Sequence, residues 1–362
     1  MDPRWNLIDF EATDPPPWMK ESGASQDRAP PVRDMIKNIR AFQQQWQELT
    51  EQEQQKRKMV FVPIFIHHIC VEEDLGLQTK SETISVFHSM QNDLRKFKKK
   101  PDEENIEERK VSKSNSMNKQ EIETTNLIKA WLHLWQCLDP KSPGSDSLDG
   151  LIDIDVCITK THKIIMNDLV NKANKTPAGC FSTETRYTTY KGEEHHYPKF
   201  ETPEDAWKAV QIICDRYNAL IDRIQQLDDS CDKMYKMFKC AAWLLFNLVS
   251  LHPFSDGNGR LCRLLCSYAL GVATPFPSPV YNVYSPSEKS DYIDGIVSAR
   301  KRNPQYPKEL TTLIIESNWF AWKAILSSDC KDADHEDEPL AKRTACEDEP
   351  IPAGIECEQD SL

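Results

Sequence analysis

The sequence predicts an all-α protein with one short β-hairpin. Residues 234–251 form a long apolar stretch rich in helix-forming side chains, and residues 260–270 place apolar side chains at helical spacing. Residues 179–198 instead alternate β-forming side chains and end a run at Lys-Gly, a pattern typical of a hairpin. Helices are therefore the main elements of the predicted fold, and the hairpin is the exception.

Composition along the chain predicts four parts. Residues 1–33 are rich in proline and charge, which indicates a flexible N-terminal tail. A helical N-terminal region over 34–118 follows, and it includes an exposed charged linker at 95–113. The main helical domain spans 119–328. Residues 329–362 are strongly acidic and are predicted to be a disordered tail.

The overall composition limits the class of protein. The chain has 362 residues, a net charge of -12 and 39% hydrophobic residues, with a mean hydropathy of -0.62. No stretch is long and apolar enough to span a membrane, and nothing in this acidic chain is similar to a nucleic-acid-binding module. We therefore expect neither a membrane nor a nucleic acid as a partner, and a cytoplasmic or nuclear location.

Cysteine usage agrees with that location. The chain has 12 cysteines but no C-x-x-C pair. Several lie in apolar helical stretches, which favours buried thiols in a reducing compartment. Cys262 and Cys266 are one helical turn apart, so redox control at this position stays open.

The run His252–Arg263, HPFSDGNGRLCR, is the most informative segment. Pro253 ends the preceding helical pattern, and the pattern resumes after the glycines, so the run is a tight loop that leads into a helix N-terminus. Backbone N–H groups of Gly257, Asn258 and Gly259 can there point at an anion, which the helix dipole also favours. The segment therefore predicts a phosphate-binding loop.

The side chains of the same run add further chemistry. His252 can exchange a proton near neutral pH and is the candidate general base. Asp256 can hold Mg²⁺ on phosphate oxygens, and Arg260 and Arg263 can neutralise further phosphate charge. Phe254 is interpreted as an apolar anchor of the loop. Each feature alone is also typical of an ordinary turn or a solvated helix face, but their fixed order favours phosphate chemistry.

This run resembles the Fic-family signature His-x-Phe-x-(Asp/Glu)-Gly-Asn-Gly-Arg-x-x-Arg at every specified position. The resemblance implies a Fic-type helical bundle with a hairpin flap. It also implies transfer of AMP from ATP, with Mg²⁺ or Mn²⁺, to a Ser, Thr or Tyr hydroxyl of a target protein. By position, His252 would deprotonate the hydroxyl and Asp256 would bind the metal. Residues 257–259 would form the anion hole, and Arg260 and Arg263 would bind the β- and γ-phosphates.

Two other segments are similar to parts of this family. In the family, the flap aligns the target backbone by strand addition, and its first strand here would be Tyr187, Thr188, Thr189 and Tyr190. Residues 290–296 resemble the helix after the motif, in which Tyr292 either contacts the nucleotide base or packs in the core. His162, in the segment ahead of the flap, is expected to be structural. His195 and His196 are expected at the surface rather than on a metal.

An inhibitory segment is suggested at residues 65–83. It resembles the family pattern (Ser/Thr)-x-x-x-Glu-(Gly/Asn), with Glu72 as the inhibitory carboxylate that would pair with Arg263 and block the γ-phosphate. His68 stands at the Ser/Thr position and Glu73 at the Gly/Asn position, so an exposed acidic helical turn is the alternative. In some Fic proteins the same glutamate activates water to remove AMP from the target, so this activity also stays open.

Several alternatives to adenylyl transfer stay open at this point. The donor could be another phosphate-linked group, such as UMP or phosphocholine. The chain could also be a non-catalytic nucleotide sensor that uses the hairpin as a docking edge. The intact His252 and Asp256 favour the enzyme, because a sensor needs no base. A homodimer is not excluded.

Overall fold

The helices and the hairpin occur in the predicted order. The computed structural model describes residues 3–18, 29–98, 118–138, 148–169 and 176–327. The helices in these ranges are α1 (Val32–Glu48), α2 (Glu51–Glu72), α3 (Lys80–Lys98), α4 (Lys119–Gln136), α5 (Thr161–Ile165), α6 (Pro203–Gln225), α7 (Cys231–Leu251), α8 (Asn258–Leu270), α9 (Lys289–Arg300) and α10 (Lys308–Leu326). The strands in these ranges are β1 (Tyr187–Tyr190) and β2 (Glu193–His196). The prediction of an all-α fold with one short hairpin is confirmed.

Helices α7 and α8 lie at the centre of the core. Most of α7 is buried around its whole circumference, and every residue of α8 apart from Gly259 is buried. Helices α6, α4 and α10 pack around this pair. A helix that is apolar on all sides needs neighbours on all sides, so the loop between α7 and α8 is held by a rigid surround.

The N-terminal segment departs from its prediction. Ile8 and Phe10 are 2% and 6% exposed. The backbone N–H of Ala12 donates to the hydroxyl of Tyr235 at 2.7 Å, so the segment is fixed to α7. The prediction of a flexible tail over 1–33 is therefore wrong for residues 3–18, because apolar side chains between the prolines pack on the helices. Residues 19–28 lie outside the described residues.

Other boundaries are tested only in part. Helix α3 continues to Lys98, so the first residues of the predicted linker at 95–113 are helical. The rest of that linker and the predicted acidic tail at 329–362 lie outside the described residues. Cys262 and Cys266 are buried free thiols. In the ranges that the structure describes, no helix is both long and apolar enough to cross a membrane.

The hairpin is antiparallel, with Tyr187 opposite His196 and Tyr190 opposite Glu193. Its two turn residues, Lys191 and Gly192, both have positive φ, 50° and 77°. This is the turn geometry that suits the right-handed twist of a two-residue hairpin, and a glycine adopts it without a steric penalty. The predicted Lys-Gly hairpin is thus confirmed.

Candidate functional site

The phosphate-binding loop, residues 252–259, connects α7 to α8. His252 ends α7 in the left-handed conformation, with φ 50°, and Gly257 starts α8 with φ 75°. The side chain of Asn258 closes the loop, since its Oδ1 accepts from the N–H of Phe254 at 3.0 Å and its Nδ2 donates to the Phe254 carbonyl at 2.8 Å. Phe254 is 0% exposed and is the predicted apolar anchor. The loop therefore keeps its shape without a ligand.

His162 packs against the phosphate-binding loop and supports it. Its ring stacks on Phe254, with 3.7 Å between the ring centroids and 8° between the planes. Nδ1 accepts from the N–H of Gly179 at 2.9 Å, and Nε2 lies 2.9 Å from the Asp256 carbonyl. Because Nδ1 accepts, Nε2 must carry the proton and donate, so the ring is neutral. Burial lowers the pKa of His162 to about 4, which agrees. The prediction of a structural role is confirmed.

Asp256 and Arg260 lie at the open side of the loop. Asp256 Oδ1 accepts from Arg260 Nη2 at 3.0 Å and from the N–H of Gly257 at 2.5 Å, and Oδ2 accepts no hydrogen bond from the described residues. The Asp256 side chain is 52% exposed and that of Arg260 only 6%. A cavity of about 360 Å³ opens beside both, and its other lining residues are Lys119, Glu123, Met166, Asp168 and Leu169.

The side chains of Asp256 and Arg260 fit the Mg²⁺ ion and the phosphate anion that the sequence predicts. An exposed carboxylate with one free oxygen suits Mg²⁺, which takes one or two carboxylates together with phosphate oxygens and water. The Nε of Arg260 is buried and has no hydrogen-bond partner among the described residues. The guanidinium therefore keeps a donor for an anion.

Arg263 is enclosed by an acid and two phenols. One amino group donates to Glu73, and the other donates to the Tyr281 hydroxyl at 2.6 Å. Its guanidinium carbon lies 5.4 Å from the ring centroids of both Tyr281 and Tyr292. Burial lowers the pKa of Arg263, but the two tyrosines and Glu72 outweigh this and raise it above its ordinary value. The cation is thus fixed and remains charged.

Glu73, and not Glu72, forms the ion pair with Arg263, which corrects the sequence prediction. Glu72 Oε1 instead accepts from Asn282 Nδ2 at 2.9 Å, and its carbonyl accepts from Lys289. The cause is the way α2 ends. Its last turn closes with Asp74 in the left-handed conformation, φ 52°, so the residue just before this position, Glu73, turns toward α8.

The turn that carries Glu73, residues 73–77, is fixed at both ends. Asp74 N–H donates to the Val71 carbonyl at 3.1 Å and Leu75 N–H to the Cys70 carbonyl at 3.0 Å, which is a Schellman motif. From α4, the Glu123 carboxylate accepts from the N–H of Gly76 at 2.7 Å. The Glu73 carboxylate then lies directly over α8, since a Cβ placed on Gly259 would be 2.6 Å from Glu73 Oε1.

His252 is the first residue of the phosphate-binding loop, and its ring faces the end of the hairpin. The Tyr197 ring stacks on it at 3.9 Å between centroids and 14° between planes. Burial, together with the charges of Arg186 and Arg300, lowers the pKa of His252 to about 4. Its buried Nδ1 has no hydrogen-bond partner among the described residues. The ring is therefore neutral at pH 7 and free to accept a proton.

The other predicted site residues differ in position. Tyr292 is 6% exposed and stacks on Tyr281 at 4.9 Å, so the structure supports its core alternative rather than an open contact to a base. The four predicted flap residues form β1, and Tyr187 is 59% exposed. His195 and His196 lie on β2. In the part of the chain that the structure describes, no group of three or more His, Cys, Asp or Glu side chains could hold a metal ion by itself.

Sequence reasoning did not find Tyr197, Arg186 and Arg300, which surround His252. They come from the hairpin and from α9, so no local motif connects them with the loop. It also placed the carboxylate that pairs with Arg263 one residue early. The signal for the correct residue was Asp74, because aspartate enters the left-handed conformation more readily than most residues and can replace the expected Gly or Asn.

The chain matches known proteins in sequence. The model of the Fic/DOC family matches residues 156–270. A Fido domain-containing protein of Dictyostelium discoideum is 32% identical over 135 residues, which cover 36% of this chain and 82% of that protein. A ribonucleoside-diphosphate reductase small chain of Ostreid herpesvirus 1 is 29% identical over 182 residues, which cover 50% of this chain and 27% of that protein. The chain thus spans about a quarter of the viral relative's length.

Solved structures share the fold. A Fic domain containing signaling protein from Bacteroides thetaiotaomicron has a TM-score of 0.53 at 18% identity, over 80% of this chain and 97% of that one. Fic-1 from C. elegans has a TM-score of 0.54 at 18% identity, over 81% and 71%. The sequence matches agree with this fold, and the family-model match includes the segment that holds His252 and Arg263. The chain therefore belongs to the Fic/DOC family, whose members generally transfer a nucleotide or another group to proteins.

Proposed function

We propose that the chain is a protein adenylyltransferase that moves AMP from ATP to a hydroxyl side chain of a target protein. The observation that carries the proposal is the loop of residues 252–259. It holds a neutral histidine, an exposed carboxylate and a helix N-terminus close together in the sequence, and a cavity opens beside Asp256 and Arg260. These are a base, a cation ligand and an anion site, the three parts that transfer from a nucleoside triphosphate requires.

His252 takes the proton of the target hydroxyl in this proposal. The hydroxyl oxygen forms a bond to the α-phosphorus, the bond from that phosphorus to the bridging oxygen breaks, and pyrophosphate leaves. With a pKa lowered to about 4, the ring is unprotonated at pH 7, so its lone pair is available to the hydroxyl proton. Positioning and electrostatics provide the catalysis, and no covalent intermediate with the enzyme is needed.

The phosphate groups would be bound by α8 and its arginines. The N–H groups at the start of α8 point toward the loop, and the positive end of the helix dipole favours an anion there. Arg260 and Arg263 each keep a buried Nε with no partner among the described residues. Asp256 would hold Mg²⁺ or Mn²⁺, which would neutralise charge on the phosphate oxygens.

We infer further that Glu73 inhibits this activity. Its carboxylate occupies Arg263, which a terminal phosphate would otherwise bind, and lies in the space over Gly259. A carboxylate and a phosphate cannot share these donors without strong repulsion, so the turn and the nucleotide compete. The same carboxylate could also activate water for removal of AMP from the target, and the experiment therefore measures this reaction as well.

The test measures label from ATP labelled at the α-phosphate, with Mg²⁺, in the chain itself and in added lysate proteins. We compare the native chain with Glu73→Gly, with the matched control Glu72→Gly, and with Glu73→Gly combined with His252→Ala. We expect label with Glu73→Gly, little with the native chain or Glu72→Gly, and none once His252 is replaced. Prelabelled protein incubated with the native chain reports AMP removal.

Two outcomes would point elsewhere. Label that appears with Glu72→Gly but not with Glu73→Gly would return the inhibitory role to Glu72. If no variant transfers label although the nucleotide binds, the same set is tested with labelled UTP and CDP-choline. Transfer from one of these would assign another donor, and its absence would favour a nucleotide-sensing protein that does not catalyse transfer.

A further inference from the structure

Tyr197 joins the hairpin to the candidate base. It follows the last residue of β2, and its N–H donates to the Arg186 carbonyl at 3.0 Å, which closes the hairpin at its base. Its ring lies flat on the imidazole of His252, with 3.9 Å between the centroids. The hairpin and the base are therefore in direct contact through one ring pair.

Arg300 supports Tyr197 from α9. Its guanidinium carbon lies 5.4 Å from the Tyr197 ring centroid. Its Nε donates to Ser250 Oγ at 3.1 Å, so the arginine is also fixed to the last turn of α7. The tyrosine is thus held by its backbone at the hairpin and by a cation at its ring, which the ring attracts.

Besides Tyr197, the imidazole of His252 has a weak contact with the backbone of Val249, which raises its pKa slightly against the effect of burial. Its backbone is in the left-handed conformation at the end of α7, where no further helical turn supports the side chain. The buried Nδ1 has no hydrogen-bond partner among the described residues. The stack on Tyr197 is the ring contact that the structure gives this imidazole. The orientation of the ring therefore depends strongly on Tyr197.

We propose that Tyr197, supported by Arg300, is a positioning residue that sets the orientation of the His252 imidazole and connects the hairpin to it. The inference rests on the proposed transfer reaction, because it assigns no chemistry to Tyr197. A target strand that binds β1 would act on the base through this stack. Binding of the target strand and removal of its proton would then be linked, although no single residue contacts both the target strand and His252.

The charged groups around His252 define what the stack does. Arg186 enters from the residue before β1, Arg300 from α9, and Asp256 from the phosphate-binding loop. Burial has the largest effect on the pKa of His252, followed by the charge of Arg186, and both lower it. The Tyr197 ring provides part of that burial, so its removal should let water reach the imidazole and raise the pKa of His252 toward its ordinary value.

The experiment replaces Tyr197 in the Glu73→Gly chain. Histidine-labelled protein is titrated by NMR, and the His252 signal is assigned from its loss in His252→Ala. We expect Tyr197→Leu to raise the pKa of His252 by about one unit and to lower the transfer rate about 10-fold. Tyr197→Phe keeps the ring but loses the hydroxyl contact with Arg300, so it should change both values less than Tyr197→Leu does. Arg300→Gln should raise the pKa by less than Tyr197→Leu.

The matched control is Tyr306→Leu, since Tyr306 also stacks on an aromatic ring, that of Phe10 at 5.1 Å, but lies away from the loop. It should lower stability without changing the pKa of His252. The proposal fails if Tyr197→Leu behaves like Tyr306→Leu, that is, if the pKa and the rate per folded molecule stay unchanged. The titration needs no turnover. If the chain transfers no label, the proposed function is overturned, but the titration still decides whether Tyr197 acts on His252.

Discussion

His162 packs against the phosphate-binding loop, His252 is the first residue of that loop, and the two side chains resemble each other closely. Each stacks face to face on one aromatic ring, at 3.7 Å on Phe254 and at 3.9 Å on Tyr197. In each, burial lowers the pKa to about 4. Stacking and pKa therefore do not separate a structural histidine from a chemical one in this protein.

The ring nitrogens do separate them. His162 uses both: Nδ1 accepts from Gly179 and Nε2 donates to the carbonyl of Asp256. In His252 only one nitrogen faces the protein: Nδ1 is buried and its nearest backbone partner, the Val249 carbonyl, lies outside good hydrogen-bond geometry. A histidine whose two nitrogens are occupied by backbone groups can hold a loop but cannot exchange a proton without breaking it. Nε2 of His252, to which no hydrogen bond from the described residues is assigned, is the nitrogen available for chemistry.

The largest expected effect is a difference between the alanine variants of these two histidines, each made in the Glu73→Gly chain: one should lose transfer rate and the other stability. His252→Ala should lower the transfer rate by about 10³-fold, since the base is lost, with a change of less than about 1 kcal/mol in the free energy of unfolding. His162→Ala should cost about 2–3 kcal/mol, because it removes the buried stack on Phe254 and leaves two part-buried backbone groups without their partner. Rates and urea unfolding curves measure both. Equal losses of stability in the two variants would contradict the distinction.

A smaller effect is expected from pH, and here the two histidines should behave alike. Both have a pKa near 4 in the fold against an ordinary 6.5, so the folded state favours the neutral ring. The unfolded chain binds more protons between these values. The stability is therefore fully present above pH 6.5 and falls as pH drops toward 4. The loss is at most roughly 3 kcal/mol for each histidine.

Urea unfolding at several values between pH 7 and pH 4 measures this slope. His162→Asn and His252→Asn should each flatten it, because each removes one group whose pKa is lowered. His68, whose pKa burial lowers to about 3, should account for part of the remainder. Parallel slopes in the native chain and both variants would show that these rings are not the source.

The smallest expected effect is at the tip of the hairpin, far from either ring. Lys191 Nζ lies 2.9 Å from both carboxylate oxygens of Asp294, but the two side chains are 64% and 51% exposed. Exposed ion pairs contribute little because water screens them. Lys191→Ala should leave the urea midpoint and the pKa of His252 unchanged. A shift of that pKa would mean that the tip, rather than Tyr197, sets the position of the base.

Local sequence was sufficient wherever the site depends on consecutive residues. The loop of residues 252–259 and the start of α8 follow from Pro253, the two glycines and the apolar pattern on either side. The hairpin follows from Lys-Gly between β-forming residues. In both cases the backbone conformation is determined by residues within a few positions, so the pattern alone predicted it.

Long-range contacts were not predictable in the same way. Nothing near Tyr197 in the sequence indicates that α7 ends beside it, and Ile8 and Phe10 gave no sign that their proline-rich segment packs on helices. The Glu72 assignment failed for a different reason. Two adjacent glutamates satisfied the pattern equally well, and only the left-handed Asp74 shows which one faces Arg263.

The position of the Glu73 carboxylate over Gly259 has a consequence for measured nucleotide affinity. In the proposed function, the terminal phosphate takes the place of Glu73 on Arg263, so it binds in molecules whose turn of residues 73–77 has moved away. The observed affinity then equals the intrinsic affinity multiplied by the fraction of such molecules. Each change of about 1.4 kcal/mol in the stability of that turn would shift the apparent dissociation constant tenfold. Contacts far from the phosphates, such as that of Glu123 with Gly76, would therefore set the ATP concentration at which the protein responds.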